Sequence, residues 1–176
     1  MSTESEQSIR KRMLDATFTV VSRRGLKKLQ LVEVAAEAEV SRPTVYRYFG
    51  SKAGLLEAFA LYEQDNFSAG IAVATAGLRG ADRVDAALRF IVDYQFSHSL
   101  TTLVEIEPEY SIDQMVRVLP LMEGAMRRLM DGVDSEIAAS AVVRIAVCHY
   151  LVPGNDRNRF LAELRRAAGI GVRRKR

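Results

Sequence analysis

Arg42, Thr44, Tyr46, Arg47 and Tyr48 crowd into one short stretch, SRPTVYRYFGSK, bounded by Ser41 and Lys52. A guanidinium pairs with guanine edges or phosphates, a threonine methyl meets a thymine methyl, and a tyrosine hydroxyl reaches a phosphate oxygen. The chemistry such a set can perform is duplex recognition. Arg42, Thr44 and Arg47 are the candidates for reading bases, with Tyr48 in support. Ser41, Tyr46 and Lys52 are the candidates for holding the phosphate backbone, Lys52 lying where the next helix begins and anions are favoured.

Those side chains need a scaffold, and the flanking residues supply one. Leu31, Val34, Ala35 and Ala38 recur at i, i+3, i+4 and i+7, one face of a helix, with Glu33 and Glu37 on the other side. The alanines permit close approach of a second helix, and Val40 can plug the corner between the two. Ser41 is placed to cap that second helix, and Pro43 falls in its first turn, where a missing N–H costs nothing. Val45 and Phe49 then face inward and the arginines outward. The spacing predicts a helix-turn-helix; the alternative reading is a helical hairpin whose polar face is only solvated.

The run VAAEAEVSRPTVYRYFGSKAGLL resembles the signature of the TetR family of bacterial transcriptional regulators, through Val34, Ala35, Ala38, Val40, Ser41, Thr44, Tyr46, Tyr48, Phe49, Ser51, Lys52 and Leu55. Upstream, Met13, Leu14, Asp15, Ala16 and Gly25 are in register with the family's first helix, so the likeness covers roughly residues 9 to 56. It implies operator binding, pairing of subunits through the last two helices, and an effector cavity in the remaining helices. Three residues depart from the pattern. Gln30 stands where a capping Thr is usual, and Glu39 replaces the turn glycine, where a positive φ would strain any side chain. Gly54 replaces an acidic residue and should weaken the start of the fourth helix by up to about 1 kcal/mol.

The chain has 176 residues and a net charge of +3, a small total that hides a division. Residues 1–52 carry ten Lys/Arg against six Asp/Glu, residues 53–172 carry eleven against sixteen, and residues 173–176 are all basic. Positive charge thus gathers where the reader lies, an electrostatic footprint for phosphate. The absence of a long apolar run and of a signal-peptide core predicts a cytoplasmic protein.

The pattern predicts an all-α fold: a three-helix DNA-binding domain over 1–52 with a mobile stretch at 1–7, a helical effector-binding and dimerisation domain over 53–172, and a basic tail at 173–176. The first helix should start at Ser8 and the fourth run from Lys52 toward Ala74. Pro108 should end a short helix, Asp113 should cap the next, and Pro120 should kink or divide it. Phe90, Tyr94, His98, Met115, Leu119, Met122, Met126 and His149 could line a mostly apolar pocket with polar anchors, although such stripes also serve as plain core. Ala138, Ala141, Val142, Ile145, Phe160, Leu161 and Leu164 offer more apolar surface on the last two helices than one core needs, which invites a second copy.

No enzyme is indicated. His98 and His149 lie in no metal-ligand spacing, Cys148 and His149 point about 100° apart on a helix, and no phosphate-cradling glycine loop occurs. Cys148 reads as a small core residue. Glu105, Glu107 and Glu109 could bind a cation or merely be solvated. No cofactor or metal is expected; the expected partners are double-stranded operator DNA, a small-molecule effector and a second subunit, with no membrane. The favoured function is a repressor released by a small apolar or amphipathic ligand. The competing readings are a ligand-binding or protein-interaction module whose helix-turn-helix does not read DNA, and an architectural DNA binder without effector.

Overall fold

A computed structural model describes residues 3–97, 104, 108–130 and 134–170. Among these the chain forms eight α-helices and no strand. They are α1 (Thr3–Arg24), α2 (Leu31–Glu37), α3 (Arg42–Phe49), α4 (Lys52–Thr75), α5 (Gly80–Ser97), α6 (Pro108–Leu129), α7 (Ser135–Leu151) and α8 (Arg157–Ala167). The packing divides into two compact units, one ending at Ser68 and one beginning at Ala69, so α4 contributes to both.

In the first unit, Met13, Leu14, Val20 and Val21 of α1 close over Leu31, Val34 and Ala35 of α2, Val45 of α3, and Leu55 and Phe59 of α4, all buried. The apolar spacing read along the sequence is the spacing that builds this core. Thr17, also buried, donates its hydroxyl to the Met13 carbonyl at 2.8 Å and so leaves no polar atom stranded. Arg23 and Arg24 at the end of α1 reach Glu37 and Glu33 of α2 at 3.0 and 2.7 Å. The basic stop of one helix is thereby tied to the acidic face of the next.

In the second unit, α5 buries Val84, Ala87, Leu88, Ile91 and Val92, α7 buries Ala139, Val142, Val143 and Ala146, and α8 buries Phe160 and Leu164. Asp156 caps α8 by accepting from the Arg159 N–H at 2.9 Å. Two ion pairs fasten α8 to α5: Arg157 with Asp93, and Arg165, bidentate on Asp85 at 2.5 and 2.9 Å. Paired N–H donors facing two carboxylate oxygens fix both distance and direction.

Several expectations about the helices are corrected. α1 begins at Thr3 rather than Ser8, and Glu6 suits the positive end of the helix dipole. Pro108 opens α6, consistent with the preference of proline for a first turn, while the residues just before it, expected to be a short helix, lie largely outside the described residues; Asp113 sits inside α6 rather than capping it. Pro120 lies within the continuous α6 and removes one backbone hydrogen bond; it and Val116 are exposed, so water can serve the released carbonyl. Cys148, read as core, is exposed, because α7 turns its neighbours Val142, Val143 and Ala146 inward instead.

Candidate nucleic-acid interface

Each end of the short helix α3 is set by a local device. Ser41 accepts from the Thr44 N–H at 3.2 Å, and its hydroxyl also shares a hydrogen bond of 2.8 Å with the Thr44 hydroxyl. Pro43 occupies the first turn, and Gly50 ends the helix with φ of 71° and its N–H on the Tyr46 carbonyl. Val45, fully buried, pins the inner face. The rest of the helix is thereby aimed outward: Arg42, Pro43, Tyr46 and Arg47 are exposed, and Thr44 and Tyr48 are half-buried.

The two arginines are not loose. Arg42 donates from Nη2 to the Tyr46 hydroxyl at 3.2 Å, with its guanidinium carbon 5.4 Å from the centre of that ring. Arg47 lies 5.5 Å from the centre of the Tyr48 ring. Each cation thus rests against an aromatic face, an arrangement that restricts where the guanidinium can go. Arg10 of α1 reaches the Phe49 ring at 5.8 Å, which brings a third cation to the far end of α3.

Lys52 has a second duty that sequence reading missed. Its ammonium donates to the Lys27 carbonyl at 2.8 Å, joining the start of α4 to the loop after α1 across 25 residues of sequence. One of its three N–H donors is spent there, and the others remain for an anion. Beside it, Ser51 caps α4 by accepting from the Gly54 N–H at 3.1 Å. A Cβ on Gly54 would sit 2.2 Å from the Phe49 carbonyl oxygen, so the glycine permits the tight passage from α3 to α4. The Lys11, Asp15 and Tyr62 cluster was also missed. Tyr62 of α4 donates to Asp15 at 2.6 Å and Lys11 to the same carboxylate at 2.8 Å, and both partners raise the ammonium pKa of Lys11. Helical i, i+4 spacing offers the Lys11–Asp15 pair, but no spacing in sequence announces the contacts of Lys52 with Lys27 or of Tyr62 with Asp15.

The turn behaves as its residues imply. Gln30 forms no side-chain cap on α2, and Glu39 takes φ of 53°, the left-handed conformation expected of a residue standing for glycine.

The other residue sets are placed differently from one another. Of those expected at a pocket, His98 lies outside the described residues, and Met126 is buried in the core. Phe90 packs against Tyr94 at 5.8 Å and occupies the space a side chain on Gly70 would need. His149 stacks on Phe160 at 3.8 Å. Its Nδ1 meets Gln95 Oε1 at 2.9 Å, while Gln95 Nε2 donates to the Ala146 carbonyl and the Gly154 N–H donates to the ring's Nε2. The amide orientation leaves Oε1 as the acceptor, so Nδ1 of the ring is the donor in this pair. Burial pushes its pKa down, with the Gly154 backbone and then Glu163 opposing more weakly. Met115, Leu119 and Met122 are half-buried on α6.

A surface groove of about 650 Å³ lies elsewhere, between α6 and α7, over Pro120, Gly124, Ile137 and Ala141. None of the expected pocket residues lines it. Of the residues expected between subunits, Val142, Phe160 and Leu164 lie instead in the chain's own core, because α8 packs against α5 and α7. Ala138, Ala141, Ile145 and Leu161 are half-exposed, beside Ile137 at 74% exposure. Of the acidic cluster, Glu105 and Glu107 are outside the described residues. Among the described residues no group of three His, Cys, Asp or Glu is placed to hold a metal ion, and no helix is long and apolar enough to cross a membrane.

Comparison with known proteins agrees with this geometry. Residues 13–59 match the family profile described as bacterial regulatory proteins, tetR family. The HTH-type transcriptional repressor KstR of Mycolicibacterium smegmatis is 43% identical over 56 residues, which cover 32% of this chain and 28% of that repressor. Among solved structures, a TetR-like transcriptional regulator from Rhodococcus sp. RHA1 superposes with a TM-score of 0.61 at 24% identity, covering 92% of this chain and 93% of its own. A TetR-family transcriptional regulator from Streptomyces coelicolor gives 0.69 at 20% identity, covering 93% and 95%. Residues 13–59 are thus similar to the tetR family of bacterial regulatory proteins, and the fold is the all-α one of these solved TetR-family structures.

Proposed function

We propose that the chain is a sequence-specific DNA-binding transcriptional regulator, a cytoplasmic repressor that binds operator DNA as a homodimer and leaves it when a small apolar or amphipathic ligand binds. The observation that carries this reading is α3 itself: a capped helix, pinned by Val45, with Arg42, Tyr46 and Arg47 exposed along its outer side. Arg42, Thr44 and Arg47 read bases, Tyr48 supports them, and Ser41, Tyr46 and Lys52 hold phosphates. Residues 1–52 serve as reader, 53–172 bind effector and partner subunit, and the basic residues 173–176 form a tail. The half-exposed Ala138, Ala141, Ile145 and Leu161, with Ile137, meet the second copy. Its function is regulatory rather than enzymatic.

Retention of duplex DNA by the purified chain across a salt series tests the reading. Binding that weakens steeply with salt and depends on sequence supports it. Binding indifferent to both favours a ligand-binding or protein-interaction module, and salt-dependent binding without sequence preference or effector favours an architectural role. Arg47→Ala should cost about 1–3 kcal/mol and relax preference at one base position, while Lys52→Ala should weaken all sequences alike. A uniform loss from both changes would refute the division between reading and holding.

A further inference from the structure

Tyr46 is 41% exposed, so its hydroxyl is not needed to complete the core. It stands one turn after Arg42 on the same side of α3 and touches it in two ways, by a hydrogen bond from Nη2 to the hydroxyl at 3.2 Å and by the ring beneath the guanidinium at 5.4 Å. A phenol both accepts and donates. With its oxygen accepting from Arg42, its single proton is still available to a phosphate oxygen. A guanidinium has five N–H donors in a planar fork, so one contact with Tyr46 leaves a donor edge for the O6 and N7 of a guanine. An arginine held before DNA arrives also has less rotamer freedom to lose on binding.

We infer that Tyr46 is the positioning residue for Arg42: it orients the guanidinium toward a base while donating its own proton to the DNA backbone. Base reading at that position and the register of the helix on the phosphates are therefore set by one hydrogen-bonded chain, guanidinium to phenol to phosphate. This rests on the proposal that α3 reads DNA. Tyr48 meets Arg47 through its ring, whereas Tyr46 holds Arg42 by ring and hydroxyl together.

Tyr46→Phe keeps the ring and removes the hydroxyl. The probe is the duplex that the wild-type chain enriches from a randomised double-stranded pool. Tyr46→Phe should bind it about tenfold less tightly, the scale of one hydrogen bond to a charged group. It should also flatten preference at the same base position that Arg42→Ala flattens, and the double variant should lose nothing further there. The thermal midpoint and the dependence of affinity on salt should stay at wild-type values, because the side chain is exposed and uncharged. Equal weakening on every sequence with the Arg42 preference intact would overturn the inference and leave Tyr46 as a plain phosphate contact. So would unchanged affinity and preference. If the wild-type chain enriches no sequence at all, the DNA-reading proposal itself fails, and that is seen before any variant is made.

Discussion

Glu39 holds the corner between α2 and α3 with φ of 53°, where a Cβ crowds the backbone and glycine does not. Glu39→Gly should therefore stabilise the chain, by about 0.5–1 kcal/mol after the greater entropy of unfolded glycine is counted, with urea unfolding as the measurement. A loss of stability would mean that the glutamate makes up the strain elsewhere. The strain was legible from the resemblance, which places a turn glycine where this chain has Glu39. Gly54 was not: sequence marked it as a weak start to α4, whereas the Phe49 carbonyl leaves no room there for a side chain. Propensity is a property of one residue, and a close approach belongs to two.

At the scale of elements, the pairing of α8 with α5 lends itself to a test by pH. Arg165 holds the Asp85 carboxyl below its usual range, with Arg89 assisting and burial opposing. A carboxyl lowered in the folded state contributes stability above its unfolded pKa of about 4 and loses it as pH falls through the folded value. Arg165→Met should thus cost about 1 kcal/mol near neutrality, a figure already reduced for partial solvent screening. Unfolding midpoints of the variant and wild type should converge in strongly acid solution. A gap that persists at acid pH would assign the loss to packing. Pro120 carries a related lesson, since a proline on an exposed helical face removes one hydrogen bond without dividing α6.

For the molecule as a whole, charge and exposed apolar surface argue for different partners. Basic residues outnumber acidic ones over 1–52 and acidic residues prevail over 53–172, so phosphate is attracted to the proposed reader and not to 53–172. Ile137 stands 74% exposed near the half-exposed Ala141 and Ile145, an apolar strip that the described residues leave partly uncovered. If this strip meets a second copy, Ile137→Glu should shift the protein from dimer to monomer in sedimentation, with helix content unchanged. Two readers spaced about 34 Å apart on successive major grooves would then be lost, and affinity for a palindromic site should fall toward that of a single half-site. A wild-type chain that sediments as a monomer at all concentrations would exclude this.

The sequence by itself determined the helix-turn-helix, its cap at Ser41, and the outward cations of α3. These rest on interactions reaching no more than a turn along the chain, and residue type at fixed spacing records them. Only the tertiary structure decided that Val142, Phe160 and Leu164 belong to the core, that Lys52 holds the Lys27 carbonyl, and that Arg165 finds Asp85. A helix with apolar residues on more than one side does not announce which side meets its own chain. That choice is made by whatever packs against it, and the partner lies too far away in sequence for any period to reveal.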